Sequence, residues 1–404
     1  MRYVIIDIRP LLPKNSPTGV PEYTRELLCA LLGLVEKKKN VRLFLFSSGK
    51  EKPDLRAFES FREYVSHYHI PLPNKLLNAL FKLGMFPGID TLIKKRYGLS
   101  RFANVTMFAP NINLLPLSSR AKLVITFHDL SFERYPFFLK PKEKLWHLMV
   151  NPLALARRAD TIIAVSQSTK QDLISLYGVP EKNVTVIYSG ISKDFKNLPF
   201  GQNLSALSVR SKNLPSSQNL SGFASKNLPF GQNLSGFASK PFPGKKYGNA
   251  QKIFYLGSAD GRKNLDALIK AFRMVKKRLP GKELELVLAG PPHRVVSFKE
   301  RVRLYQEASI FVYPSVFEGF GLPPVEAMRC GIAVIASHTS SLPEALGNGA
   351  LLVNPHKIAE IAKAMELLLT DETLREHYIA KGLAQASRFS WQKAARETLA
   401  ILLS

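Results

Sequence analysis

The apolar positions of the chain follow two alternating patterns. Short runs of β-forming residues recur at 3–8, 41–46, 105–109, 123–126, 159–166 and 184–188. They recur again at 253–257, 284–289, 310–313, 332–336 and 350–353. Most are apolar at consecutive positions, as strands covered on both faces require. Between them lie segments with apolar residues three and four apart, at 22–34, 75–85, 168–177, 265–279, 299–308, 357–369 and 391–403. Strand, turn and helix repeated in this order predict βαβ crossovers and hence parallel α/β sheets.

The rhythm breaks once. Residues 196–239 are a degenerate repeat whose units begin at Lys196, Lys212 and Lys226 (KNLPFGQNLSALSVRS, KNLPSSQNLSGFAS, KNLPFGQNLSGFAS). Pro, Gly, Asn and Ser dominate, and no acid lies between Lys196 and Ala259. The units are too short and too polar to stack as a solenoid, so a disordered insertion is expected. The expected organisation is a first α/β domain at 1–191, a linker with the insertion at 192–250, a second α/β domain at 251–386, and a last helix at 387–404.

Composition narrows the partners. A chain of 404 residues with 46% apolar content has ample core for two or three domains. Cys29 and Cys330 lie far apart, which suits a reducing cytosol rather than a disulfide framework. The first residues carry Asp7 and Arg9 within their apolar run and read as a strand, not a signal peptide. No apolar run approaches ~18 residues, so no membrane span is expected.

The net charge of +26 is spread along the chain, with clusters at Lys37-Lys38-Lys39 and Lys94-Lys95-Arg96. No zinc-finger spacing, RNA-binding aromatic motif or basic-region helix accompanies it, so nucleic acid is not expected as a partner. An anionic membrane surface is the alternative. Segment 75–85 would place Leu76, Leu77, Leu80, Phe81 and Leu83 on one helical face beside lysines, just before the second basic cluster. The competing reading of that helix is a core-facing one. The expected location is the cytoplasm, with peripheral contact at the inner face of the membrane.

The chemistry concentrates in 310–334. Ile310-Phe311-Val312-Tyr313 reads as a buried strand ended by Pro314. Gly319-Phe320-Gly321 follows, and Pro323-Pro324 open a helix, where proline's missing N–H is no loss. Bare backbone amides ahead of a helix N-terminus suit an anion such as phosphate. Glu318 precedes the glycines and Glu326 follows the prolines. Glu326 is expected in the first helical turn, reaching two vicinal hydroxyls such as those of a ribose. Alone, such acids read as a dipole complement and a solvated loop residue. Strand, glycines, prolines and both acids in one register favour a binding site.

At this point the sequence resembles a family. Glu318-Gly-Phe-Gly-Leu-Pro-Pro-Val-Glu326 resembles the Glu-x7-Glu signature of retaining glycosyltransferases of family 4. The resemblance implies the GT-B fold: two Rossmann-like domains facing a cleft, the last helix crossing back to the first. It implies that Glu326 binds the donor ribose, that Gly319, Phe320, Gly321 and Leu322 meet the diphosphate and donor sugar, and that Glu318 lies beside the sugar. Gly19 matches the family's glycine loop after the first strand. His128, in Phe127-His128-Asp129, matches a His near the reacting sugar, with Asp129 a weaker candidate. Lys263 matches the family's diphosphate-binding Lys. The family's frequent Arg six residues earlier is Gly257 here, which leaves Arg262 as substitute. The segment after 289 is also shorter than the family's, with 295–298 as the remnant of a strand.

The implied reaction moves a hexosyl group from a nucleotide-diphosphate sugar to a hydroxyl of a glycan or lipid-linked acceptor, with retention of anomeric configuration. His128 and Glu318 would be the catalytic pair. No Asp-x-Asp occurs in the chain, so neither metal nor other cofactor is expected beyond the donor substrate. Two rivals remain: a non-catalytic or decayed nucleotide-sugar binder, suggested by the shortened segment and the repeat, and a nucleic-acid binder, suggested by charge alone.

Overall fold

The structure is a computed structural model. It describes residues 1–11, 19–38, 40–61, 63–195 and 250–404, so the repeat at 196–239 and the loop at 12–18 lie outside the described residues. The chain divides into two compact units, Met1–Ser192 with Ser390–Ser404, and Lys193–Phe389.

The first unit holds a seven-stranded sheet. Its elements are β1 (Arg2–Asp7), α1 (Val20–Val35), β2 (Val41–Ser48), β3 (Val65–Ile70), α2 (Asn74–Lys82), α3 (Ile89–Arg96), β4 (Val105–Ala109), β5 (Lys122–Phe127), α4 (Ser131–Arg134), α5 (Pro141–Val150), α6 (Pro152–Arg158), β6 (Thr161–Ala164), α7 (Gln167–Tyr177) and β7 (Val184–Val186). The strands lie in the order β3-β2-β1-β4-β5-β6-β7, and every pair is parallel. The order reverses between β1 and β4. Open parallel sheets bind ligands outside the carboxyl ends of their strands at such a reversal.

One core of this unit joins Ile5, Phe44, Met107, Ile125 and Ile162 of the strands to Leu77 and Phe81 of α2, Ile89 and Ile93 of α3, Val150 and Leu173. The face expected on α2 is therefore split. Leu77 and Phe81 point into the core, whereas Leu76 and, just beyond the helix, Leu83 and Met85 are exposed.

The second unit holds β8 (Gln251–Leu256), α8 (Leu265–Arg278), β9 (Leu284–Ala289), α9 (Phe298–Glu307), β10 (Ile310–Tyr313), α10 (Leu322–Arg329), β11 (Ala333–Ser337), α11 (Leu342–Leu346), β12 (Ala350–Val353), α12 (Ile358–Thr370) and α13 (Glu372–Ala386). Its strands are all parallel, in the order β12-β11-β10-β8-β9, and the order reverses between β8 and β10. β10 lies at the centre and all four of its residues are buried, which is why its sequence has no polar face. The last helix, α14 (Trp391–Leu403), belongs to the first unit, where it packs on α1.

Two expectations are corrected. Residues 295–297 form no strand: after β9 a turn is closed by a bridge between Gly290 and Arg294, the backbone then runs irregularly to α9, Val295 is exposed, and β9 is the edge of the sheet. The segment is too short to return a strand alongside β9 and still reach β10. Glu326 does not lie in the first turn either. α10 begins at Leu322, which puts Glu326 one turn inside the helix.

Candidate functional site

The second unit brings two loops together at its strand-order reversal. The first follows β8, where Asp260 opens a tight helical turn, Gly261–Lys263. Asn264 then holds a left-handed backbone (φ 54°), an unusual state outside glycine. Its side-chain amide secures that state by donating to the carbonyls of Pro314 (3.1 Å) and Pro355 (2.7 Å). The second loop follows β10. Ser315 Oγ and Val316 N both donate to the Arg262 carbonyl, at 3.1 and 2.7 Å, stitching the two loops side by side.

The stitching sets Lys263 against Glu318. Lys263 Nζ lies 2.6 Å from Glu318 Oε1 and donates to Tyr313 Oη at 2.9 Å. The lysine side chain is 16% exposed and the glutamate 11%, so the pair is shielded yet reachable. Lys263 thus bridges the Tyr313 phenol and the Glu318 carboxylate. Burial first, and then the Glu318 charge, push the Tyr313 phenol well above its ordinary pKa, so it keeps its proton. Ser340 Oγ accepts from the Glu318 amide and Ser341 Oγ donates to the Glu318 carbonyl, both at 2.9 Å, which fixes the backbone at the carboxylate.

Glu326 sits in a second network. Its carboxylate is buried, accepts from Tyr305 Oη at 3.0 Å and faces Arg301 Nη1 at 3.6 Å. The Arg301 guanidinium lies against the rings of Phe195 and Phe298, at 5.1 and 5.2 Å. Arg262 is the third cation of this region. It forks onto Asp260 through Nε and Nη2, at 3.1 and 2.9 Å. Burial raises the Asp260 pKa, but hydrogen bonds from the Arg262 side chain and backbone outweigh it and hold the carboxyl below its ordinary range.

The glycine loop takes the form its sequence predicts. Gly321 caps α10 at φ 91°, and a Cβ there would meet Leu342 at 2.6 Å, so only glycine fits. The cap has no side-chain partner. Pro323 and Pro324 have no N–H, so Gly321 and Leu322 bring the amides of the helix start. Gly319 is buried, and Phe320 packs its ring on Phe389 (5.2 Å), so a ligand would meet Phe320 through its backbone.

In the first unit, Gly19 caps α1 with φ 68°. His128 follows β5. Its Nε2 donates to the Pro110 carbonyl after β4 (2.8 Å), which leaves Nδ1 as the basic nitrogen. The ring meets the edge of Tyr23 from α1 (4.6 Å). Burial lowers the His128 pKa despite the Pro110 bond and the Asp129 charge, so the imidazole is neutral at pH 7. Asp129 accepts from the Ser131 amide (2.8 Å), tying it into the α4 turn.

Of the residues singled out in the sequence, the fold brings Lys263 and Glu318 together and seats Glu326 apart with its own partners. Tyr313, Tyr305 and Arg301, which contact these residues, were not singled out in the sequence. Arg301 and Tyr305 stand four apart, on the face of α9 that turns inward; a cation on an otherwise core-facing helical stripe was the available signal.

Residues 18–195 match the family model described as Glycosyltransferase Family 4, and residues 250–371 the one described as Glycosyl transferases group 1. The serotype-specific mannosyltransferase WbdA of Escherichia coli is 30% identical over 303 residues, covering 68% of this chain and 32% of WbdA. The chain thus spans about a third of that relative's length. The O-antigen chain mannosyltransferase B of Escherichia coli is 27% identical over 327 residues, 76% of each chain. Among solved structures, the sucrose-phosphate synthase of Thermosynechococcus elongatus superposes with a TM-score of 0.63 at 17% identity, covering 99% of this chain and 98% of that one. Two parallel-sheet α/β units and this likeness make the fold GT-B.

Proposed function

We propose that this chain, a glycosyltransferase of the family-4 type, transfers a hexosyl group from a nucleotide-diphosphate sugar to an acceptor hydroxyl in the assembly of a cell-surface glycan, with retention of anomeric configuration. The observation that carries this is the Lys263–Glu318 pair. A cation and a carboxylate, 55 positions apart, meet at 2.6 Å at the carboxyl ends of β8 and β10, where the strand order reverses. Lys263 would meet the diphosphate as its charge develops, together with the amides of the α10 cap. Glu318 would accept from hydroxyls of the donor sugar, and Glu326 from the ribose. Neutral His128 would hold a hydroxyl through Nδ1. The reaction as proposed needs no metal. The names of the two relatives favour mannose as the hexose.

The test is calorimetric titration with UDP-, GDP-, ADP- and dTDP-sugars, mannose donors included, followed by transfer assays and NMR of the product's anomeric configuration. Binding of no donor refutes the proposal, and inversion refutes its stereochemistry. A second reading has one observation in its favour. The second unit's sheet ends at β9, and the buried Glu326 is already engaged by Tyr305 and Arg301. A binder without turnover would take up donor in the same titration and transfer nothing.

The acceptor side carries a further element of this proposal, contact with an anionic lipid surface. Leu76, Leu83, Met85 and Phe102 are exposed, interleaved with Lys75, Lys82, Lys95, Arg96 and Arg101. From Tyr64 to His128 the sole acid is Asp90, which is buried and bonded to Ser118. Exposed apolar side chains amid uncompensated cations match an anionic interface. Co-sedimentation with phosphatidylglycerol vesicles but not phosphatidylcholine vesicles, reduced by Leu83→Ser with Met85→Ser, is the expected result. Equal recovery with both lipids would refute it.

A further inference from the structure

We infer that Tyr313 is a positioning residue of the donor site, whose phenol oxygen sets the Lys263 ammonium in place for an anionic oxygen. This rests on the donor site proposed above. Tyr313 closes β10, is 1% exposed, and stacks on Tyr255 of the neighbouring strand (6.2 Å, 28°). The ring therefore cannot swing. Its oxygen accepts from Lys263 at 2.9 Å, and the same ammonium lies 2.6 Å from Glu318 Oε1.

An ammonium on a four-carbon stem is otherwise mobile, and a single carboxylate partner would let it pivot. Two partners at fixed points remove that freedom. They also use two of the three ammonium N–H groups, leaving the third for a ligand.

The neighbouring backbone raises what depends on this placement. A Cβ on Gly257 would lie 2.5 Å from Tyr255 Oη, and one on Gly290 would lie 2.3 Å from the Gly257 carbonyl oxygen. No longer side chain fits at 257 beside this tyrosine pair. A second cation cannot project from that position, so Lys263 bears more of the phosphate contact.

The experiment is a double-mutant cycle with Tyr313→Phe and Lys263→Met, read by calorimetry with UDP, GDP, ADP and dTDP. Nucleoside diphosphates lack the sugar, so any direct role of Glu318 drops out of the measurement. Tyr313→Phe keeps the ring and its stacking. It is expected to weaken the diphosphate that the parent binds by roughly tenfold, the effect of one charge-assisted hydrogen bond. In the Lys263→Met background the same change is expected to matter less than about twofold, because its route of action is gone. Equal losses in both backgrounds would mean that Tyr313 acts through packing, and would overturn the inference while leaving the donor site standing. So would a Tyr313→Phe variant that binds like the parent or fails to fold. A parent protein that binds none of the four diphosphates overturns the inference and the donor site together.

Discussion

Removing the Lys263 ammonium should cost stability as well as function, and the two losses can be separated. At 2.6 Å and an effective dielectric near 20, the gross attraction to Glu318 is about 6 kcal/mol, much of it offset by desolvation of both groups. Stripping one partner from a buried pair typically costs ~3–5 kcal/mol, because the other charge is left in a poor solvent. With 16% and 11% exposure, some water reaches this pair, and roughly 2–4 kcal/mol is expected for Lys263→Met. That corresponds to a fall in melting temperature on the order of 10 °C for a domain of this size. Glu318→Gln should show a similar loss. The double variant, Lys263→Met with Glu318→Gln, leaves no stranded charge and should return to within about 1 kcal/mol of the parent. Donor affinity should not return, since the contact to the diphosphate is still missing. The assay is urea denaturation of the four proteins paired with calorimetric titration of nucleoside diphosphates. A Lys263→Met protein as stable as the parent would show that the pair does not form in solution. A double variant that binds as tightly as the parent would remove both residues from the donor site.

Asp260→Asn should strengthen diphosphate binding several-fold by loosening the fork that now occupies Arg262; a weaker affinity would instead make Asp260 the residue that aims Arg262. His128→Asn should lower turnover with little change in donor affinity, and transfer at the parental rate would make the imidazole structural. Gly190→Ala should destabilise the first unit markedly, because its methyl would sit 2.2 Å from the Trp391 amide nitrogen at the start of α14; an unchanged melting temperature would refute this packing. His67 should make stability fall on acidification. Burial first, then the charges of His69 and Lys52, lower its pKa from 6.5 to about 4, so the unfolded chain takes up a proton that the folded one refuses between those values. A His67→Gln protein should show a flatter melting profile from pH 6.5 to 4, and an identical slope would dismiss the idea.

The sequence reading succeeded where one short stretch contained both a pattern and its consequence. The run Ile310 to Tyr313 has four apolar or aromatic residues in a row because both faces of β10 are covered, and the glycines and prolines after it prescribe the cap of α10. Lys263 was singled out by the family resemblance, since a lysine in a turn after a strand is by itself an ordinary surface residue. Tyr313 was not, since its value lies in an oxygen whose partner is 50 residues earlier. Tyr305 and Arg301 were hidden for the same reason, each looking like an ordinary helical residue until Glu326 stands opposite. β3 escaped because Ser66, His67 and His69 break its apolar pattern, as an edge strand tolerates. α13 escaped because its charged and apolar residues mix, with only Arg375, Gly382, Leu383 and Ala386 buried.

On the proposed function, the charges of the second unit would limit how a departing diphosphate is stabilised. Lys263 faces Glu318, Arg262 forks onto Asp260, and Arg301 faces Glu326, so each of these three cations stands beside a carboxylate. The donor proposed above, with its two phosphates, would therefore enter a region that is close to neutral before it arrives. Attraction at long range from these groups is weak, because each pair is a dipole rather than a charge. What remains acts at contact distance: the third N–H of Lys263, an Arg262 that exchanges one oxyanion for another, and the amides of Gly321 and Leu322 at the α10 cap. Of the three cations, Arg301 is the least able to take part, enclosed by Phe195 and Phe298 and 4% exposed. Its role is to hold Glu326 in place one turn inside the helix. Arrangement rather than net charge is then what the site offers a transition state, since preorganised donors need no reorganisation as the bond breaks. It follows that the residues fixing direction, Tyr313 above all, should affect catalysis more than any added surface cation would.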